Sequence, residues 1–130
     1  MKQENNPPKP TDAELSILGV LWRRGPSTVR DVFEELNRNR PMVYTTVLKL
    51  LQIMTEKGLV TRTEEGRAHL YHAVHTEEIA QKRLVGDLLD RAFGGSAQRL
   101  VMQALSNRRA TKEELAEIRK LLDELEDDAS

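Results

Sequence analysis

Cysteine is absent from the 130 residues, which excludes disulfides, thiolate metal sites and thiol redox sensing. No apolar run approaches the roughly 20 residues needed to span a bilayer, and no secretory signal pattern is present. A cytoplasmic protein without membrane insertion is therefore expected. There is no cysteine nucleophile, no Gly-rich phosphate loop and no paired buried carboxylate, the acids falling at helix starts or on outer faces, so the chain does not read as an enzyme and implies no cofactor. One further absence is local. From Asn37 to Thr55 no Asp or Glu occurs, in a chain that carries 21 of them.

That acid-free window contains the stretch around which the rest is organised. Pro41 suits the start of a helix and Gly58 its end, so residues 42 to 57 are predicted to be one helical rod. Tyr44, Val47, Leu51 and Met54 recur at helical spacing and form a core-facing stripe. The opposite stripe presents Thr45, Thr46, Lys49 and Gln52, and Arg38, Arg40 and Lys49 are the only charges in the window. Phosphates repel carboxylates, whereas Thr, Gln and Lys bond to phosphates and base edges. The pattern predicts a DNA recognition helix, with Tyr44 divided between a core role for its ring and a phosphate contact for its hydroxyl.

The preceding chain supplies its partners. Residues 1–10, with three prolines and two asparagines, read as a mobile arm. Thr11 and Glu14 match a capping box ahead of a helix burying Leu15, Leu18 and Trp22, which Gly25-Pro26 ends. Thr28 and Asp31 form a second capping pair, before Val29, Val32, Phe33 and Leu36 at the spacing of a short amphipathic helix, with Glu34 and Glu35 on its outer side. Two helices joined by the polar turn 37–40, the second carrying the acid-free face, make a helix-turn-helix pattern.

After Gly58 the period shifts. Leu59–Thr63 and Ala68–Val74 read as strands and Glu64–Arg67 as a hairpin tip. The fold class is thus mainly α with a small β-hairpin wing: a winged helix-turn-helix domain over 11–75, followed by a helical region over 76–130. Arg62, Arg67 and His69 are wing candidates for DNA, the arginines alternatively solvated or paired with Glu64 and Glu65. His69 and His72 fall on opposite strand faces, so His69, His72 and His75 do not make a metal site.

Thr76, Ser96 and Thr111 each start a further helix, and Glu126–Ser130 reads as a frayed acidic end. Leu84, Leu88, Leu100, Leu115, Ile118, Leu122 and Leu125 supply more apolar surface than a tail needs. They either fold back as a monomeric cap or pair with a second chain. Homodimerisation is favoured, because a two-fold dimer meets two half-sites of a DNA operator. Charge follows the same division: residues 1–75 carry 11 Lys/Arg and 9 Asp/Glu, residues 76–130 carry 9 and 12, and the whole chain is −1. A protein-interaction module using the same winged fold without DNA is the competing reading.

Thr-Asp-Ala-Glu-Leu at 11–15, Leu21-Trp22, Tyr44-Thr45-Thr46-Val47, Lys57-Gly58-Leu59-Val60 and Gly66-Arg67, in that order, resemble the penicillinase-repressor family (BlaI/MecI type) over nearly the whole chain. The resemblance implies a homodimeric winged-helix repressor on a palindromic double-stranded operator, controlling β-lactam resistance or a related operon. It also implies a membrane sensor-protease pathway that relieves repression by cleavage in the C-terminal region. Two positions depart from the family pattern: Ile53 stands where many members carry a basic residue, and Gln103-Ala104 stands where the best-known members are cut at Asn-Phe. The C-terminal cysteines of copper-responsive relatives are missing here, which excludes that mode of sensing.

Overall fold

The computed structural model describes residues 9–129. The expected N-terminal arm lies, up to residue 8, outside the described residues. The element order is α1 (Asp12–Arg24), α2 (Val29–Asn37), α3 (Tyr44–Lys57), β1 (Val60–Glu65), β2 (Ala68–Ala73), α4 (Glu77–Phe93), α5 (Ala97–Asn107) and α6 (Lys112–Ala129). By compactness the chain divides into two units, Met1–Leu84 and Val85–Ser130.

In the first unit α1, α2 and α3 close over an aliphatic core of Ile17, Val20, Leu21, Val32, Val47, Leu51 and Met54, each at most 3% exposed. Both predicted capping boxes form: Thr11 with Glu14 and Thr28 with Asp31 exchange backbone-to-side-chain hydrogen bonds. Gly58, at φ 81, ends α3 in the left-handed conformation. The Leu59 N–H then bonds to the Met54 carbonyl and the Gly58 N–H to that of Thr55, the paired pattern by which a glycine closes a helix.

The wing is an antiparallel hairpin whose register runs from Val60 opposite Ala73 to Glu65 opposite Ala68. Its loop is therefore two residues, Gly66-Arg67, rather than the four expected. Gly66 has φ 63 and, among the described residues, no non-glycine residue has positive φ, which fits a turn with glycine at its first central position and matches the twist of the strands. Tyr71, 1% exposed, anchors the hairpin to the core. A bridge joins it to Ser27, with N–H to carbonyl bonds of 3.1 and 2.8 Å in the two directions.

Glu14 corrects the expectation that carboxylates stay at the surface. It is 2% exposed, and its Oε1 accepts from the Thr11 N–H at 2.9 Å and from Lys57 Nζ at 2.7 Å. Burial disfavours its charged form, but the bond to Lys57, the bonds with Thr11 and the Lys57 charge outweigh that, and the carboxyl pKa lies below its ordinary value. One carboxylate thus ties the start of α1 to the end of α3.

In α4, α5 and α6 no residue is buried. Thr76, Ser96 and Thr111 cap them as expected, and α6 continues to Ala129 rather than fraying from Glu126. Val85, Leu88, Val101, Met102, Leu121, Leu122 and Leu125 are each 45–59% exposed. Among the described residues no helix is long and apolar enough to cross a membrane.

Candidate nucleic-acid interface

The outer face of α3 is as the spacing requires. Thr45, Thr46, Lys49 and Gln52 are exposed, while Val47, Leu51 and Met54 on the opposite side are sealed. Helix geometry alone produces this division, since positions 45, 49 and 52 fall four and three residues apart. Pro41 lies outside the helix, which begins at Tyr44 after Val43. The turn before it is shaped by Asn37, whose Oδ1 accepts the Met42 N–H at 2.9 Å.

Val43 makes α3 different from the other five helices. Each of those has a Ser or Thr hydroxyl bonded to a first-turn N–H, whereas α3 has no side-chain cap. The Thr46 and Val47 N–H groups bond back to the Val43 carbonyl, and those of Tyr44 and Thr45 meet no acceptor among the described residues. Uncapped N–H groups and the positive end of the helix dipole make a favourable place for an anion. Capping by a side chain is worth about 1 kcal/mol, so the free protein forgoes that much at this one terminus.

Tyr44 is 38% exposed and so leaves the core stripe to which its spacing assigned it. Its ring meets Phe33 edge-on, with centroids 5.7 Å apart and planes at 67°, and the Arg30 guanidinium lies 5.5 Å from its centroid. Thr28, Arg30, Tyr44, Arg67 and His69 line one cleft between α2, α3 and the wing. Thr28 and Arg30 were missed at the sequence level. Both lie near the start of α2, where the sequence marks Thr28 only as a cap and gives no signal for Arg30, which the structure places 3.7 Å from Glu34.

The hairpin register sorts the remaining wing residues. Directly paired residues share a face, so Arg62, Glu64, His69 and Tyr71 lie on one side and Thr63, Leu70 and His72 on the other. His69 Nε2 is 3.5 Å from Glu64 Oε2, while His72 Nε2 is 2.9 Å from the Thr63 hydroxyl. His69 and His72 thus diverge, and among the described residues no three His, Asp or Glu side chains gather as metal ligands.

The surface charges fall into two sets. Arg24 reaches Asp31 and Glu35, and Arg38 reaches Glu35, which occupies the acids of α2 with neighbouring cations. Arg40, Lys49, Arg62 and Arg67 make no ion pair among the described residues. Arg40 stands apart from the wing cleft, lining a separate hollow with Asn39, Met42 and Leu50.

Gln103 and Ala104 are exposed but lie inside α5. Their peptide bond is held in helical geometry rather than extended.

Comparison with known proteins gives a consistent result. A family model described as penicillinase repressor matches residues 10–124. The transcriptional regulator BlaI of Mycobacterium tuberculosis is 35% identical over 117 residues, covering 88% of this chain and 83% of that protein. The penicillinase repressor of Bacillus licheniformis is 26% identical, covering 90% and 91%. The solution structure of Bacillus licheniformis BlaI, in monomeric form with the blaP half-operator, superposes with a TM-score of 0.50 at 26% identity, over 56% of this chain and 89% of that one.

Proposed function

From the premise that this chain belongs to the penicillinase repressor family, we propose that it is a DNA-binding transcriptional repressor that acts as a homodimer on a palindromic operator. The observation that carries the reading is the outer face of α3: exposed Thr45, Thr46, Lys49 and Gln52, no carboxylate before Glu56 in the last turn, and a helix start without a side-chain cap. In the major groove this face reads base edges, and a backbone phosphate takes the place of the missing cap. Arg40, Arg62, Arg67 and the Tyr44 hydroxyl fix the register through phosphates, with His69 beside them and Arg30 and Thr28 joining from α2.

Residues 11–75 are the DNA-binding domain and 76–130 the dimerisation region. Leu88, Leu122 and Leu125 are about half exposed in the single chain, and Leu84, Leu100, Leu115 and Ile118 are partly covered. Pairing two such surfaces removes apolar area from water and sets two recognition helices at half-site spacing. The family's release by a sensor-coupled protease, if it acts at Gln103–Ala104, requires α5 to unwind locally first. Ile53, half-buried on α3, supplies no charge of its own to the operator.

The test is an anisotropy titration of the full chain against the duplex upstream of its own coding region, at two salt concentrations. Binding that falls steeply with salt supports the repressor. Absent or salt-insensitive binding overturns it and favours a protein partner for α3.

A further inference from the structure

On the repressor reading, and resting on it, we propose that Glu56 is a specificity-determining residue: its carboxylate accepts a hydrogen bond from the exocyclic amino group of a cytosine in the major groove. Thr45, Lys49, Gln52 and Glu56 follow one another in steps of four, three and four residues, so they form one row along α3. All four are exposed. Glu56 is the only acid of the helix, and two forces oppose a carboxylate at that place. It stands in the last turn, beside the negative pole of the helix dipole, where a cation is favoured. It also ends the row that approaches the phosphates of a duplex.

No neighbour offsets that charge. Lys57, the next residue, is committed to Glu14 at 2.7 Å on another side of the helix. The Thr55 hydroxyl returns to the Leu51 carbonyl at 2.8 Å. Among the described residues the Glu56 side chain makes no ion pair or hydrogen bond. An ionised carboxylate only accepts, and the donors that a major groove offers it are cytosine N4 and adenine N6. The adenine amino group has the N7 acceptor beside it, which repels the second carboxylate oxygen, whereas the cytosine edge carries no acceptor. Cytosine is therefore the base that fits. Glu56 lies about 10 Å along the helix axis from Lys49, which sets the cytosine about three base-pair steps of 3.4 Å from the position that Lys49 meets. Away from the operator the same carboxylate meets phosphates alone and is repelled, so it weakens binding to every wrong sequence more than to the right one.

The full chain, Glu56→Ala and Glu56→Gln are each used to select duplexes from a random-sequence pool, and their affinities for one scrambled duplex are measured at low and high salt. The motif of the parent should contain a C·G pair preferred about tenfold, and neither variant should prefer it. Both variants should bind the scrambled duplex several-fold more tightly at low salt, a gain that fades as salt screens the repulsion. Both should keep the helical circular dichroism of the parent, since removing an anion from the negative pole does not weaken the helix. Retention of the pair by either variant overturns the proposal and leaves the repressor reading standing. Unchanged affinity for the scrambled duplex at low salt shows that the carboxylate does not face DNA, and also overturns it. A parent that enriches no motif overturns it too, and a parent that binds no duplex overturns the repressor reading with it.

Discussion

Replacing Lys57 with Met removes the partner of a carboxylate that is 2% exposed and leaves most of the side-chain volume in place. Breaking a buried ion pair from one side costs about 3–5 kcal/mol, because the other charge stays buried. Two features reduce that figure here: the Lys57 side chain is already 23% exposed, and Glu14 keeps the Thr11 N–H at 2.9 Å. A loss of about 2–3 kcal/mol is therefore expected, read from urea midpoints at fixed protein concentration. Adding Glu14→Gln should recover about 1 kcal/mol, since the amide oxygen still accepts from Thr11 and no charge remains buried. The pH dependence has a definite sign. The folded-state pKa of Glu14 is lowered, so the pair's contribution is complete above the ordinary glutamate range and is lost as pH falls through the lowered value. The stability gap between parent and Lys57→Met should close over that acidic window. A loss below about 0.5 kcal/mol, the scale of an exposed pair, or a gap that is constant with pH, refutes the reasoning.

Lys49→Ala should weaken operator binding and reduce the salt slope by about one phosphate's worth, leaving urea stability unchanged; an unaltered slope removes Lys49 from the interface. Val43→Ser supplies the missing cap and should stabilise the free chain by about 1 kcal/mol. Val43→Asp should stabilise it similarly but lower DNA affinity at least several-fold, since its carboxylate stands where a phosphate would; DNA affinity equal to that of Val43→Ser would refute the phosphate cap. Leu88→Asp with Leu122→Asp should leave the protein monomeric in sedimentation at micromolar concentration while its circular dichroism stays helical, and persistence of a dimer would relocate the interface.

Most of the first unit is legible in the sequence because its signals are local. Its two Thr-initiated capping boxes, at Thr11 and Thr28, each need only four consecutive residues, and the α3 stripes need only helical periodicity. The misreadings arise where a distant residue decides. Glu64 and Glu65 look like turn residues by propensity, yet pairing with His69 and Ala68 draws them into a strand. Glu14 reads as a surface cap because Lys57, which allows its burial, lies 43 residues away. Tyr44 has core spacing, but it occupies the first residue of α3, where Arg30 and Phe33 hold its ring at the rim. The uncapped start of α3 is visible in Val43 itself, though it becomes informative only beside five helices that are capped.

The bridge between Ser27 and Tyr71 fixes the root of the hairpin, so the reach of its tip is quantised. With the base clamped and inward and outward positions alternating, a single-residue deletion in one strand would turn every side chain beyond it to the wrong side. Length can change without that penalty only by removing or adding opposed couples such as Glu65 with Ala68, each moving Gly66-Arg67 by about 3.4 Å. Variation in how far this arm extends along a duplex should therefore come in even numbers of residues.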